Sequence, residues 1–98
     1  MRKHNYIICY DISILEIDDI KGSKRLATVA KYLESIAFRV QYSVFLLSDM
    51  TKQELEIILA KLQNIINHSE DDLRIYRIKR SGYKLGLGVD LDEPFIIL

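Results

Sequence analysis

The sequence has little of several residue types on which whole protein classes depend. Its 98 residues contain one cysteine, one proline and no tryptophan. A single cysteine excludes an intrachain disulfide and fits a reducing compartment. The longest apolar run, residues 6–10, is far shorter than the roughly 20 residues of a membrane-spanning helix. Because the first residues also lack the pattern of a secretory signal, we expect a cytoplasmic protein with no membrane span.

The motifs of several enzyme classes are also missing. The chain has no phosphate-binding loop of the G-x-x-x-x-G-K type, no G-x-G-x-x-G, no H-E-x-x-H and no C-x-x-C. One cysteine and two distant histidines cannot form a structural zinc site. Cys9 lies within an apolar run, which favours a core position over a nucleophile. Carboxylates and basic residues are therefore the candidates for chemistry.

Charge is balanced overall but not along the chain. The formal net charge is +0, with 14 basic and 14 acidic residues. Residues 73–85 nevertheless carry only basic charges, with Tyr76 and Tyr83 between them. Basic residues on an edge strand discourage aggregation, whereas the same residues on a surface patch contact phosphates. The sequence leaves both interpretations open for this segment.

The spacing of apolar residues predicts one small α+β domain. With 49% hydrophobic residues in 98, the chain can build a single core. The patterns predict a strand at 6–10, a helix from Lys24 with Ser23 as N-cap, strands on either side of a bend at Tyr42-Ser43, a helix after a Thr51–Glu54 capping box, and a strand at 73–78. The order β-α-β-β-α-β is that of a ferredoxin-like sandwich, with both helices on one face of an antiparallel sheet.

Residues 38–47 are strand-like throughout, and their length is the reason to expect a bend. The even-numbered positions from Phe38 to Leu46 are apolar and are expected to form one face. Arg39, Gln41 and Ser43 are expected on the other face. There they either meet solvent or form a row that contacts phosphates or bases.

The C-terminal tail is expected to extend the sheet. We divide the chain into a ferredoxin-like core at 1–80 and a C-terminal extension at 81–98. The extension ends in four apolar residues, Phe95, Ile96, Ile97 and Leu98, which predict an extra strand. Since helices cover one sheet face, we expect a two-fold homodimer closed sheet against sheet, in which the tail adds to the partner's sheet edge. The alternative is that the tail covers its own sheet.

Asp11 is the main candidate for a metal site. It directly follows an apolar strand, so it is expected at the rim of the sheet, rigid yet open to solvent. Mg²⁺ keeps several of its waters and needs only one or two protein carboxylates. A two-fold dimer can bring two copies of Asp11 to one metal ion, which then activates water. The alternative, which the residues alone favour, is an Asx-turn in which Asp11 caps the following loop.

Three basic residues are candidates for nucleic-acid contacts. Lys24 and Arg25 are expected to open the first helix, where the helix dipole already favours anions. Two cations at that position oppose the dipole, which favours an anionic partner. Arg39 belongs to the polar row of the 38–47 segment.

These residues together resemble the Cas-two (Cas2) family, the small proteins of CRISPR adaptation. The resemblance rests on Tyr10-Asp11-Ile12-Ser13, on Lys24-Arg25, and most specifically on the R-V-Q-Y-S-V-F string of residues 39–45. It continues through the acidic turn and strand at 70–76 and the D-L-D-E-P segment before the apolar tail. It therefore spans nearly the whole chain.

The resemblance implies a ferredoxin-like homodimer that takes part in spacer acquisition. Such a dimer bridges two dimers of the Cas-one (Cas1) integrase on DNA, and members have been described as metal-dependent endonucleases on single-stranded RNA or double-stranded DNA. It implies that Asp11 is the metal ligand and catalytic residue, with Mg²⁺ or alternatively Mn²⁺ as cofactor, and that Lys24, Arg25 and Arg39 bind nucleic acid. Two other functions stay open: a toxin-like ribonuclease of the same fold, and a non-catalytic ferredoxin-like interaction module.

Overall fold

The computed structural model describes residues 2–14, 20–78 and 96–98. The elements are β1 (His4–Asp11), α1 (Ile20–Ile36), β2 (Phe38–Gln41), β3 (Val44–Met50), α2 (Lys52–Ile65), β4 (Asp72–Ile78) and β5 (Ile96–Ile97). This order confirms the predicted ferredoxin-like βαββαβ core and the extra C-terminal strand. Residues 79–95, which include Phe95 and most of the predicted extension at 81–98, lie outside the described part of the chain.

The strands form one antiparallel sheet in the order β2-β3-β1-β4-β5. β1 lies at its centre, hydrogen-bonded to β3 on one side and to β4 on the other. A central strand is held along both edges, so the residues at its end have a well-defined backbone position. Asp11 is the last residue of this strand.

Both helices pack on the same face of the sheet. Strand alternation turns Tyr6, Ile8 and Tyr10 of β1 towards the helices, and all three are buried. The core is completed from the other elements by Phe45, Leu47, Leu73 and Ile75 of the sheet, Val29 and Leu33 of α1, and Leu55, Ile58 and Leu62 of α2. Within the described residues, no helix is long and apolar enough to cross a membrane.

The predicted capping box opens α2. Glu54 N donates to Thr51 Oγ1 at 3.2 Å, and Thr51 N donates to Glu54 Oε1 at 3.0 Å. Hydrogen bonding of the Glu54 carboxyl to the Thr51 backbone, and then to the Thr51 side chain, holds its pKa below its usual range. The two reciprocal bonds satisfy backbone donors that the helix itself leaves unpaired, which fixes where α2 begins.

The start of α1 corrects the sequence analysis. The helix begins at Ile20, not at Lys24, so Ser23 is not its N-cap. The Lys21-Gly22-Ser23 segment suggested a loop because glycine costs about 1 kcal/mol in a helix relative to alanine. Gly22 is nevertheless helical and is buried in the first turn of α1, although it has no side chain that could make contacts. Packing at this point overrides the local preference.

The bend at Tyr42-Ser43 is confirmed, but the predicted apolar face of residues 38–47 is wrong. Phe45 and Leu47 enter the core, while Phe38 and Tyr42 are 70% and 76% exposed. Phe45 lies opposite Ile8 on β1, which is itself a core residue, and directly paired residues share a face of the sheet. Apolar residues occur at both parities here, so only this register decides which set is buried.

The C-terminal tail pairs with β4. Ile96 and Ile97 pair with Ile75 and Arg74 of the chain's own β4, and Leu98 N donates to Leu73 O at 2.8 Å. This pairing places the tail in the chain's own sheet, and the expected contact of the tail with a partner's sheet edge stays a prediction. The physical reason is that β4 otherwise presents an open row of backbone donors and acceptors on that side.

Candidate functional site

Asp11 lies at the end of β1 and is exposed, as predicted. It shares the helix-free face of the sheet with Ile7 and Cys9. Within the described residues, its carboxylate has no hydrogen-bond or ion-pair partner. The Asx-turn that the residues alone favoured would place Ser13 N on Asp11, but Ser13 N donates to Asp71 Oδ1 at 3.0 Å instead. The Asp11 carboxylate is therefore available to a ligand from solvent.

A second carboxylate, which sequence analysis missed, lies opposite Asp11. Asp72, the first residue of β4, is the register partner of Asp11. Directly opposed residues on antiparallel strands have Cβ atoms about 4.5–5.5 Å apart, and like charges there repel. Arg74 Nε lies 3.0 Å from Asp72 Oδ2 and offsets part of this repulsion. Only the pairing of β1 with β4 identifies Asp72 as a neighbour of Asp11, and the sequence alone does not show this pairing.

The donor set among the described residues is compatible with a water-rich magnesium site. The described residues contain no group of three or more histidine, cysteine, aspartate or glutamate side chains that could hold a metal ion. Mg²⁺ needs only one or two carboxylates because it keeps several waters. Asp11, exposed and facing solvent at the sheet rim, fits that need. A second copy of Asp11 across a two-fold axis would complete such a site.

Asp71, one residue before Asp72, has a different environment. Its side chain is fully buried and accepts hydrogen bonds from Ser13 N, Asn67 N and Arg25. The Arg25 guanidinium lies 2.9 Å from Asp71 Oδ2 and 3.1 Å from Glu70 Oε2. Burial alone raises the pKa of Asp71, but the hydrogen bonds from Arg25, Asn67 and Ser13 outweigh it and hold the pKa below its usual range.

This cluster changes the role of Arg25. Its side chain is 16% exposed and is committed to two carboxylates of the same chain. Its position also differs from the prediction, because α1 begins at Ile20 and Lys24 and Arg25 lie beyond the first turn. The argument from the helix dipole therefore does not apply to either residue. Lys24 is exposed, whereas Arg25 links α1 to Asp71 and Glu70 just before β4.

Arg39 lies on a different part of the surface. Its Nη1 lies 3.1 Å from Glu34 Oε1, and its guanidinium stacks 5.0 Å from the Phe45 ring centre and 5.7 Å from that of Tyr42. The side chain is 39% exposed. From Lys24 to Glu34, α1 advances about 15 Å. The structure therefore separates the predicted basic residues instead of gathering them at one point.

Comparison with known proteins gives the family of the chain. The family model described as CRISPR associated protein Cas2 matches residues 4–84, which include Asp11, Lys24, Arg25 and Arg39. The chain belongs to the Cas2 family. A protein of Moorella thermoacetica named CRISPR-associated endoribonuclease Cas2 1 is 32% identical over 97 residues, covering 93% of this chain and 97% of that protein.

Solved Cas2 structures have the same fold. The crystal structure of Streptococcus pyogenes Cas2 at pH 6.5 matches with a TM-score of 0.66 and 32% identity, over 76% of this chain and 86% of that one. A chain of a partial Cas6-RT-Cas1–Cas2 complex matches with a TM-score of 0.64 and 26% identity, over 97% and 93% of the two chains. The chain thus shares its ferredoxin-like architecture with a solved Cas2 structure and with a chain of that complex.

The helix-free face of this Cas2-family chain has an apolar and a charged end. Ile7 is 2% exposed although it lies outside the core cluster, and its register partners are Leu46 on β3 and Tyr76 on β4. Asp11 and Asp72 lie at the opposite end of the same face. Leu46 and Tyr76 are half-buried on this face, whereas Ile7 between them is already buried within the chain.

Cys9 has no role in this Cas2-family site beyond packing. It is half-buried on the helix-free face, opposite Arg74. Burial raises the pKa of its thiol, so the thiol stays protonated and is a poor nucleophile. The predicted core position is wrong, because Cys9 lies outside the core cluster on the other face of the sheet.

Proposed function

We propose that the protein is a homodimeric, metal-dependent nuclease of CRISPR adaptation that hydrolyses phosphodiesters in single-stranded RNA or double-stranded DNA. The observation that carries the proposal is the Asp11 carboxylate, exposed at the end of the central strand and unpaired among the described residues. The name of the Moorella thermoacetica relative, an endoribonuclease, supports the reaction class. Membership of the Cas2 family supports the biological setting.

Asp11 would hold Mg²⁺, with Mn²⁺ as the alternative ion. A bound ion supplies Lewis-acid activation of water and neutralises charge that develops on the phosphate. Asp11 pairs with Asp72 of β4, and the pairing of β1 with β3 ends at Cys9, so the Asp11 backbone is held along its β4 side. The carboxylate of Asp72 adds negative charge at the same edge. One exposed carboxylate gives a weak site, so the proposal requires the second Asp11 of a dimer.

The dimer itself is supported by the helix-free face. Leu46 and Val44 of β3 are half-buried on this face, so they offer apolar surface for contact between two copies of the sheet, whereas Ile7 is already buried within the chain. For two copies of Asp11 to share one ion, the two-fold axis must pass beside the end of this face that carries Asp11 and Asp72. The tail residues Phe95, Ile96, Ile97 and Leu98 remain candidates for partner contacts, and β5 is the last strand of the sheet among the described residues.

The nucleic-acid surface would use Lys24 and Arg39. Lys24 is exposed on α1, and Arg39 presents part of its guanidinium to solvent while it stacks on Phe45. Arginine and lysine side chains neutralise phosphates, which makes binding weaken as salt is added. Arg25 is excluded from this surface because its guanidinium is committed to Asp71 and Glu70.

A cleavage assay tests the proposal directly. Labelled single-stranded RNA and double-stranded DNA would be incubated with Mg²⁺, with Mn²⁺ and with chelator. We expect metal-dependent cutting by the wild type and at least a hundredfold slower cutting by Asp11→Asn. The matched control is Asp49→Asn, which removes the same charge from an exposed residue near the opposite end of β1. Asp49 has φ 55°, which asparagine also tolerates. Equal rates for Asp11→Asn and wild type would refute Asp11 as the metal ligand.

A second candidate function is a non-catalytic scaffold that bridges Cas1 dimers on DNA. It is favoured by the structural match to a chain of a Cas1–Cas2 complex. If neither substrate is cut under any metal condition, co-sedimentation with Cas1 and DNA decides between a scaffold and an unrelated interaction module. Under the scaffold function, Asp11→Asn binds Cas1 as tightly as the wild type does. A toxin-like ribonuclease would instead cut RNA and show no Cas1 binding.

A further inference from the structure

We infer that Asp71 is a positioning residue for Asp11: together with Arg25 it clamps the backbone of Ser13 and so fixes the direction in which the chain leaves β1 at the proposed metal ligand. The inference rests on the proposed function, because the orientation of Asp11 matters only where that carboxylate binds a metal ion. It assigns a role to a buried carboxylate that touches neither the metal nor the nucleic acid.

The clamp consists of one ion pair that uses both polar groups of the Ser13 backbone. Ser13 N donates to Asp71 Oδ1 at 3.0 Å, and Arg25 Nη2 donates to Ser13 O at 3.4 Å. Arg25 Nε in turn donates to Asp71 Oδ2 at 2.9 Å. Ser13 lies two residues beyond the end of β1, so no ladder of the sheet fixes it. The clamp therefore holds the backbone of Ser13 in place, as pairing with β4 holds the backbone of Asp11.

The same carboxylate also anchors the opposing strand. Asp71 directly precedes Asp72, the register partner of Asp11. Asn67 N donates to Asp71 Oδ2 at 2.8 Å, which ties the turn after α2 to the same point. Asp71 thus holds the exit of β1 and the entry of β4 together. A shift of either segment would change the distance between Asp11 and Asp72.

Asparagine at position 71 is the sharpest substitution. It keeps the volume and one acceptor oxygen, but its amide NH₂ must face donors, namely Arg25 Nε and Asn67 N on one side or Ser13 N on the other. A buried donor facing a donor loses its hydrogen bond, so the clamp opens on at least one side. A second substitution, Arg25→Lys, keeps the charge and removes the fork that reaches Asp71 and Ser13 O together.

The control comes from the same helix. Glu34→Gln breaks the exposed ion pair between Glu34 and Arg39, and this pair makes no contact with Ser13. Circular dichroism and sedimentation establish that each variant is folded and has the association state of the wild type. These measurements separate loss of positioning from loss of fold.

The test uses Mn²⁺ as the probe and nuclear magnetic resonance as a readout that needs no catalysis. In the wild type we expect Mn²⁺ to broaden the amide signals of residues 11–13 and the Ser13 amide to exchange slowly with solvent. In Asp71→Asn we expect at least a tenfold higher Mn²⁺ midpoint and fast exchange at Ser13, with a smaller shift in Arg25→Lys. Glu34→Gln should stay within twofold of the wild type.

The outcomes separate this inference from the proposed function. A folded Asp71→Asn or Arg25→Lys variant with a wild-type Mn²⁺ midpoint overturns the positioning role, even if cutting still depends on Asp11. Fast exchange at Ser13 in the wild type overturns it without any variant, should both substitutions unfold the chain. Mn²⁺ binding at 11–13 that weakens in Asp71→Asn, with no cutting by the wild type, supports the clamp and refutes the nuclease. Absence of Mn²⁺ broadening at 11–13 in the wild type overturns both.

Discussion

Arg25 and Arg39 have opposite environments although both pair with a carboxylate of the same chain. Arg25 is 16% exposed and pairs with Asp71, whose side chain is fully buried. Arg39 is 39% exposed and pairs with Glu34, which is 52% exposed. Breaking a buried pair leaves a charge without water or partner, whereas an exposed pair gains little over its hydrated parts. The comparison assigns Arg25 to the fold and leaves Arg39 available to a ligand.

Removal of the buried carboxylate of Asp71 is the strongest test of the difference between the two arginines. We expect Asp71→Ala to lower the free energy of unfolding by about 3 kcal/mol, the low end of the range for a broken buried pair. The low end applies because Arg25 keeps Glu70 at 3.1 Å as a second partner. Urea unfolding at one fixed protein concentration measures the change. A loss below about 1 kcal/mol, typical of surface pairs, would contradict the distinction.

The pH dependence of stability tests the contribution of the buried pair between Asp71 and Arg25 in a second way. The pKa of Asp71 is lowered in the folded state: burial opposes the shift, but the hydrogen bonds from Arg25, Asn67 and Ser13 exceed it. The ionised carboxylate therefore contributes stability above the unfolded pKa of about 3.9, and the contribution is lost as pH falls through the lower folded pKa. We expect a steeper loss of stability below about pH 4 in the wild type than in Asp71→Asn.

Glu54 provides the control for that titration. Its pKa is also lowered, by hydrogen bonds to the Thr51 backbone and side chain. Glu54→Gln keeps the geometry of a capping box, and it should retain the part of the acid slope that belongs to Asp71. Identical acid slopes for the wild type and Asp71→Asn would show that Asp71 titrates alike in the folded and unfolded chain.

The contrast between Arg25 and Arg39 could not be predicted from the sequence, because it depends on contacts between residues that are far apart in the chain. Helical spacing and strand alternation are local, so they predicted the order of elements, the Thr51 capping box and the position of Asp11 at the end of β1. Asp71 is 46 residues from Arg25, and no local pattern records that contact. The pairing of Asp72 with Asp11 spans an even longer stretch of the sequence. Register also decided the faces of β2 and β3, where apolar residues at both parities left the alternation ambiguous.

We expect the smallest effect on stability from a substitution of Arg39. For nucleic-acid binding, however, Arg39 is expected to matter more than Arg25. Arg39→Gln removes one charge from a pair that is largely solvated, so we expect a stability loss well under 1 kcal/mol. If Arg39 contacts a phosphate, the same change lowers nucleic-acid affinity and reduces the slope of log affinity against log salt by about 1. Fluorescence anisotropy over a salt series measures both quantities on one labelled strand.

Glu34→Gln is the matched partner of that experiment and gives the opposite sign. It frees the Arg39 guanidinium from its 3.1 Å contact and removes a negative charge from the same surface. Affinity for nucleic acid should therefore rise modestly in Glu34→Gln and fall in Arg39→Gln, with the fold intact in both. If both variants bind as the wild type does, Arg39 is not part of the nucleic-acid surface. In that case its stacking on Phe45 and Tyr42 is its only role, and the surface must be sought around Lys24.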